Sequence, residues 1–457
     1  MTQTLFGTDG IRGRAGEGIF TPSQLIRLGH ALGAWLHEKY PSTKILIIHD
    51  TRISASLIKS ALKMGLLESS IDIIDGFVAP TPAALFMMQQ LDNTNIALVI
   101  SASHNPYYDN GIKIIERCTG TISVEDELLI SYYFHQSTRV HTGWGIDTPL
   151  HHGTEIYINA LLQRFSGTWA RGIRVMVDNA HGATSHIAQK LFAHCGADVI
   201  NLHHTPNGYN INAHAGSTSP QTLAQLMPLS QADIGFAFDG DGDRVIAVNK
   251  EGIIKNGDDI ICILASHPRY QATQGIVGTV MTNEGLATHF KGQNKKLLRT
   301  PVGTRHLSNA LIENNLLIGG EPIGHIILQD QLPLGDALLN ALLLLETVII
   351  TKNWNLDSFV AYPHVMTNIP IKQRFDLNED PFTTLLQQYS QHLYSTGRIL
   401  VRYSGTEDIL RIMVEASTYD TARLISTQLI HELTQLFNEH SIAYSHRDTY
   451  EAIAFAK

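Results

Sequence analysis

Apolar runs that stop abruptly in polar, glycine-bearing loops place the tightest constraint on what this chain can fold into. Lys44-Ile-Leu-Ile-Ile-His49 runs into Asp50-Thr-Arg52, and Ile96-Ala-Leu-Val-Ile100 runs into Ser101-Ala-Ser-His-Asn-Pro106. Arg174-Val-Met-Val177 opens onto Asp178-Asn-Ala-His-Gly-Ala183, and Ile234-Gly-Phe-Ala-Phe238 onto Asp239-Gly-Asp-Gly-Asp243. Short β-rich runs without alternation read as buried strands. Ahead of the first, Thr21-Pro22 has the form of a helix start, and Leu25, Leu28, Leu32, Trp35 and Leu36 then recur at helical spacing as one buried face. Strand, loop, helix and strand in this order predict βαβ units with parallel pairing. In such sheets, sites lie at the carboxyl ends of strands.

Two of these loops carry chemistry. Asn105-Pro106 and Asn110-Gly111 are turn dipeptides, so the segment Ser101 to Ile114 bends twice and brings the Ser103 hydroxyl, the His104 imidazole and the Lys113 ammonium near one loop. A serine is a poor nucleophile and a poor phosphate carrier without a base, a metal or nearby cations. In the second loop, glycines alternate with Asp239, Asp241 and Asp243 and let the backbone curl the three carboxylates toward one centre. All-oxygen ligation suits a hard cation, and few protein ligands beside a phosphate suit Mg2+. A calcium loop would need Gly sixth and Glu twelfth from its first Asp, where this chain has Arg244 and Lys250.

With 457 residues the chain is too long for one core. Periodicity fades between residues 137 and 154, turn-rich sequence marks a second boundary at 249–259, and a third falls near Tyr362-Pro363, which gives expected domains of 1–150, 151–252, 253–362 and 363–457. Gly275-Ile-Val-Gly-Thr-Val-Met281 starts the third α/β unit, and the apolar stretch from Ala337 to Ile350, broken by Asn340 and Glu346, reads as a buried helix rather than a membrane span. A net charge of −9 argues against nucleic acid as a partner. Anions would have to be bound by local arginines such as Arg402 and Arg411, which flank Ser404, Gly405 and Thr406. Cys118, Cys195 and Cys262 are far apart and form no C-x-x-C, so free, buried thiols in a reducing compartment are expected. No targeting segment precedes the first motif, and a cytoplasmic chain with no membrane partner is expected. No P-loop occurs, and His431-Glu-Leu-Thr-Gln435 lacks the second histidine of a metalloprotease motif.

Five motifs in order, Phe6-Gly-Thr-Asp-Gly-Ile-Arg-Gly13, Ser101 to Ile114, Asp239 to Arg244, Gly319-Gly-Glu-Pro-Ile-Gly-His-Ile326 and Arg402-Tyr-Ser-Gly-Thr-Glu407, resemble the α-D-phosphohexomutase superfamily, and most closely the branch that acts on glucosamine phosphates. The resemblance implies a heart-shaped, four-domain α/β architecture, with three α/β domains of mixed sheets and a C-terminal α+β domain. It implies a phosphoserine at Ser103 that coordinates Mg2+ together with Asp239, Asp241 and Asp243. Arg12, Arg244, Lys113, His104 and His325 would serve phosphoryl transfer and proton handling. Glu321 and Arg305 would bind the sugar phosphate, and Arg402, Ser404, Gly405, Thr406 and Arg411 its distal phosphate. The implied reaction interconverts glucosamine 6-phosphate and glucosamine 1-phosphate through a bisphosphate, primed by glucose 1,6-bisphosphate or glucosamine 1,6-bisphosphate, in a monomer or homodimer whose partner is a hexosamine phosphate. The chain departs from the family's pattern at His181, Thr304, Ile323, Tyr403 and Asp408, where Asn, Asp, Ser, Pro and Pro are usual. A phosphomannomutase, a phosphoglucomutase and a sugar-phosphate-binding relative without turnover stay open as alternatives.

Overall fold

The computed structural model describes residues 4–7, 9–139, 143–372, 374–393, 396–403, 408–440, 442 and 450–454. The chain divides into two compact units, residues 1–279 with 300–358, and residues 280–299 with 359–457.

In the first unit the apolar runs form the strands expected of them. Lys44–His49 lies at the centre of a six-stranded sheet, parallel to Thr94–Ile100 on one side and to Ile73–Val78 on the other. Beyond Thr94–Ile100 the chain reverses: Asp109–Glu116 pairs antiparallel with it, and Ile11–Arg14 pairs antiparallel with Asp109–Glu116. This reversal folds the segment after Ser101 back over the end of its own strand. The helix Pro22–Lys39 buries Leu25, Leu28, Leu32, Trp35 and Leu36, the stripe its spacing predicts. Trp35 Nε1 donates to Asp126 Oδ1 of the helix Val124–Gln136 at 2.9 Å, so a buried indole N–H is satisfied where two helices meet.

A second sheet has the order Ile254–Lys255, Val245–Asn249, Ile234–Phe238, Arg174–Asp178, Asp198–Leu202. Its last three strands are parallel and the first two antiparallel. The hairpin between Ile234–Phe238 and Val245–Asn249 carries the three aspartates. A third sheet includes Gly275–Thr279 parallel to Ile318–Gly320, which pairs antiparallel with Ile326–Leu328. The helix Ala337–Thr351 is buried along most of its length, and Asp336 caps it by accepting from Leu339 N at 3.0 Å. Among the described residues, no helix is long and apolar enough to cross a membrane.

The second unit is α+β. Its antiparallel sheet has the order Gly397–Tyr403, Ile409–Ala416, His364–Pro370, Tyr450–Ala454. The helices Phe382–His392 and Tyr419–Glu439 supply Phe382, Leu385, Leu429, Leu433 and Phe437 to a core shared with Val365, Ile369, Leu410, Ile412 and Val414. One expectation is corrected. Cys195 and Cys262 are buried, but Cys118 is exposed, because it sits in the turn that follows Asp109–Glu116 rather than on the strand.

Candidate active site

Ser103 is the second residue of a turn that begins where Thr94–Ile100 ends. Its backbone has φ 52°, left-handed and unusual for a residue with a Cβ, and its side chain is fully buried. Several groups hold this conformation. Ser103 N donates to Ser101 Oγ at 2.8 Å, and Ser101 Oγ donates to Asp50 Oδ2 at 2.6 Å. The Ser103 carbonyl accepts from Arg52 Nη2 at 3.0 Å and from Asn212 Nδ2 at 2.8 Å.

The Asp239–Asp243 loop comes against this turn by a close approach of three backbones. A Cβ on Gly240 would lie 2.8 Å from the Ser103 carbonyl oxygen, and one on Gly182 would lie 2.4 Å from the Gly240 carbonyl oxygen. Only glycine fits at either position. Across this approach, Ser103 Oγ donates to Asp239 Oδ2 at 2.6 Å. The other Asp239 oxygen accepts from the backbone N–H groups of Asp243 and Arg244, each at 3.1 Å, so the loop closes on its own first carboxylate.

One ligand atom from each of Asp239, Asp241 and Asp243 lies within 4.8 Å of the others, and all three residues are buried. Lys113 Nζ donates to Asp241 Oδ2 at 2.9 Å and to Asp243 Oδ2 at 2.8 Å, and Thr81 Oγ1 donates to Asp241 Oδ2 at 2.5 Å. The second oxygens of Asp241 and Asp243 are buried without a hydrogen-bond partner. A cluster of hard carboxylate oxygens with two unsatisfied acceptors is the donor set a divalent cation would complete. Burial and the neighbouring Asp243 and Asp241 push the Asp239 carboxyl well above the ordinary range. Burial acts on Asp243 in the same sense, but Lys113, His325 and Arg244 hold it well below that range. Burial works against the charge of Lys113, but Asp241, Asp243 and Asp9 outweigh it and raise the ammonium's pKa.

The remaining expected residues gather on this centre. Arg244 Nη1 lies 2.6 Å from His104 Nδ1. A guanidinium has no lone pair to offer, so Nδ1 is the acceptor and the His104 ring is neutral, with its proton on Nε2. Burial and Arg244 together lower the His104 pKa to about 4, which agrees with that assignment. Ser103 Oγ is 3.5 Å from the same Nδ1. His325 Nδ1 lies 3.8 Å from Asp243 Oδ2 and its Nε2 lies 3.3 Å from Thr304 Oγ1. Burial alone would lower the His325 pKa, but Asp243 and Glu321 raise it above the ordinary value. Arg12 pairs with Asp9 and donates to the Ser101 carbonyl at 3.2 Å, which places it one turn from Ser103 without a bond to its hydroxyl. A cavity of about 60 Å³ adjoins Lys113, Asp243 and His325 and is lined as well by Thr304 and Arg305. Arg305 forms an ion pair with Glu127, and Glu321 Oε1 accepts from Gly303 N at 3.3 Å.

Arg402 and Arg411 belong to the second unit. They sit directly opposite each other on adjacent antiparallel strands, and burial together with Arg411 lowers the Arg402 pKa. Two cations in cross-strand register repel unless an anion is shared. Ser404, Gly405 and Thr406 lie outside the described residues. The sequence reading passed over Arg52, Asn212 and Thr81, which make direct contacts to the Ser103 turn or to Asp241. Arg52 had a signal: it follows the carboxyl end of Lys44–His49, where site residues of parallel sheets collect.

Comparison with known proteins agrees with this geometry. Models of phosphoglucomutase/phosphomannomutase α/β/α domains I, II and III match residues 3–140, 155–252 and 256–363, and the model of the C-terminal domain matches 366–432. Similar proteins include phosphoglucosamine mutases of Marinomonas sp., 36% identical over 94% of this chain and 98% of that protein, and of Acinetobacter baylyi, 36% identical over 95% and 99%. Among solved structures, a phosphoglucomutase/phosphomannomutase family protein from Burkholderia thailandensis superposes with a TM-score of 0.79 at 21% identity, covering 94% of this chain and 97% of its own. An Aspergillus fumigatus N-acetylphosphoglucosamine mutase, solved with GlcNAc-6P and magnesium, gives 0.64 at 17% identity, covering 94% and 95%. Motifs, domain order and near-complete alignment converge: the chain belongs to the phosphoglucomutase/phosphomannomutase family of the α-D-phosphohexomutase superfamily, in its phosphoglucosamine mutase branch.

Proposed function

We propose that this chain is a phosphoglucosamine mutase, an intramolecular phosphotransferase that interconverts glucosamine 6-phosphate and glucosamine 1-phosphate for amino-sugar nucleotide and peptidoglycan precursor synthesis in the cytoplasm. The observation that carries the reading is the Ser103 hydroxyl held 2.6 Å from Asp239 inside a buried carboxylate trio, in a chain whose full-length relatives are phosphoglucosamine mutases. Mg2+ is the proposed cation, held by Asp239, Asp241, Asp243 and a phosphate on Ser103, and when bound it neutralises charge on the transferring phosphoryl oxygens. A sugar bisphosphate, glucose 1,6-bisphosphate or glucosamine 1,6-bisphosphate, would prime Ser103.

Phosphoryl transfer depends mainly on positioning and charge stabilisation. In the forward half, the bond from Ser103 Oγ to phosphorus breaks as a bond from the sugar hydroxyl forms, and the proton that this hydroxyl gives up is made good, through the acid–base groups of the site, on the departing Ser103 Oγ. In the return half, Ser103 Oγ gives up its proton as it takes the other phosphate from the bisphosphate, and the sugar oxygen that leaves phosphorus takes one up. Lys113 and His325, whose pKa values are both raised, face this centre as cationic donors. His104 Nδ1 lies 3.5 Å from Ser103 Oγ, but its lone pair is engaged by Arg244, so the serine proton faces Asp239 Oδ2 at 2.6 Å, whose carboxyl is pushed toward its protonated form, and His104 acts by orienting Arg244 beside the phosphoserine. Arg12 and Arg244 add charge beside the phosphoserine. Glu321 and Arg305 would contact the sugar phosphate, and Arg402, Arg411 and the segment Ser404, Gly405 and Thr406 the phosphate that does not react.

Ile323 is 45% exposed in the loop between Ile318–Gly320 and Ile326–Leu328, where a family serine would offer a hydroxyl to the sugar. This keeps a phosphomannomutase or phosphoglucomutase as the second reading. A coupled assay on glucosamine, mannose and glucose 6-phosphates separates the two. The highest kcat/KM on glucosamine 6-phosphate is expected, and a preference for mannose or glucose would transfer the assignment.

A further inference from the structure

We infer that Arg52 and Asn212 are positioning residues for phosphoryl transfer, which clamp the Ser103 carbonyl so that the serine stays in its left-handed conformation with Oγ aimed at the aspartates. This rests on the phosphoserine reading and adds to it two residues outside the motifs that carry the family resemblance.

The Arg52 guanidinium is almost wholly buried, and each of its nitrogens is engaged. Nε pairs with Asp50 Oδ2 at 2.8 Å, Nη1 donates to the carbonyls of Pro106 and Asp109, and Nη2 donates to the carbonyls of Ser103 and Asn105 at 3.0 and 2.9 Å. Four carbonyls of one short loop therefore converge on one planar cation. A rigid fork can meet them together, whereas a lysine ammonium has only three donors on a flexible stem. Asp50 neutralises the fork from behind and also accepts from Ser101 Oγ, which in turn receives Ser103 N. Asn212, from a different loop, repeats the contact from another direction: its Nδ2 donates to the Ser103 and Asn105 carbonyls at 2.8 and 3.0 Å.

The consequence is mechanical. Ser103 at φ 52° is strained relative to extended or helical backbone. The two donors on its carbonyl fix the peptide that follows it, and with it the direction of the side chain. Neither residue bonds to the Ser103 hydroxyl, so neither is assigned a proton or a phosphate. Loss of either donor should loosen the angle of attack without changing contacts to the sugar. A small displacement of a reacting atom costs on the order of a hundredfold in rate.

The test uses the full-length enzyme carrying Arg52→Ala, Arg52→Lys or Asn212→Gly. Asn212 itself has φ 58°, which glycine adopts without strain, so Asn212→Gly removes the amide and preserves the loop. We expect kcat to fall about a hundredfold in Arg52→Ala, nearly as far in Arg52→Lys, and about tenfold in Asn212→Gly, with KM for the hexosamine phosphate within about twofold of wild type. Added guanidinium should restore part of the rate to Arg52→Ala, and methylammonium should not. Wild-type kcat in Asn212→Gly and Arg52→Lys would overturn the inference, as would a loss that falls on KM or that methylammonium rescues equally well. If Arg52→Ala does not fold, Asn212→Gly decides alone. Wild-type enzyme that shows no turnover and no phosphate on Ser103 would instead overturn the phosphoserine reading itself.

Discussion

Ser103 Oγ and Asp239 Oδ2 stand 2.6 Å apart although 136 residues of chain separate them. The contact joins the carboxyl end of a strand in the first sheet to a hairpin of the second, and the proposed chemistry is built around it. Ser103→Ala should therefore abolish mutase turnover while leaving a folded protein, since only one hydroxyl is removed from a site held mainly by backbone contacts. Circular dichroism and the coupled assay together check this. Residual turnover above background in the variant would exclude Ser103 as the phosphate carrier.

The carboxylate trio predicts metal-dependent stability. Mg2+ that binds only the folded chain stabilises it by about 2.7 kcal/mol at a hundredfold excess over Kd. Thermal melting of chelator-treated protein should rise when Mg2+ is added, and Asp241→Asn should lose most of that rise. Equal shifts in the two proteins would place the cation elsewhere.

His104 sets a pH dependence. Its pKa in the fold is about 4 against an ordinary 6.5, so the unfolded chain takes up the proton first as the pH falls. The stability that His104 contributes is present in full above about pH 6.5 and is lost progressively as the pH falls toward 4. Urea unfolding of wild type and His104→Asn across that window should diverge, with the wild type losing more. Side-chain NMR should show the neutral Nε2-protonated ring at pH 6. A ring that titrates near 6.5 would refute the lowered pKa and the pH window, and a neutral ring protonated at Nδ1 would refute the tautomer.

Gly182 has room for no side chain, because a Cβ would lie 2.4 Å from the Gly240 carbonyl oxygen. Gly182→Ala should destabilise the protein by about 1–3 kcal/mol, the usual cost of overpacking. It should also lower kcat, because the backbone it displaces carries Asp239 and Asp241. A neutral result in chemical denaturation and in the assay would show that the two loops are free to separate.

Much of this architecture could be read from the sequence because its signals are local. Unalternated strands, the leucine stripe of Pro22–Lys39 and the glycine-spaced aspartates each sit within a few residues of one another, and backbone chemistry determines their form. What escaped was long-range. Arg52 and Asn212 look like ordinary loop residues until the fold brings them to one carbonyl, and nothing near Asn212 in the chain indicates that Ser103 will lie beside it. Cys118 escaped for a smaller reason: it lies two residues past the strand end at Glu116, in the turn, and that short step decides exposure. Arg402 and Arg411 are expected from the sequence as an anion-binding pair, and the second unit places them directly opposite each other on adjacent strands.

The most direct measurement is peptide mass spectrometry of the full-length protein before and after incubation with glucose 1,6-bisphosphate and Mg2+, followed by addition of glucosamine 6-phosphate. The account predicts one phosphate per chain, located on Ser103, that passes to the sugar as the bisphosphate appears. A chain that carries no phosphate under either condition, or that carries it on another residue and still turns over, would contradict it.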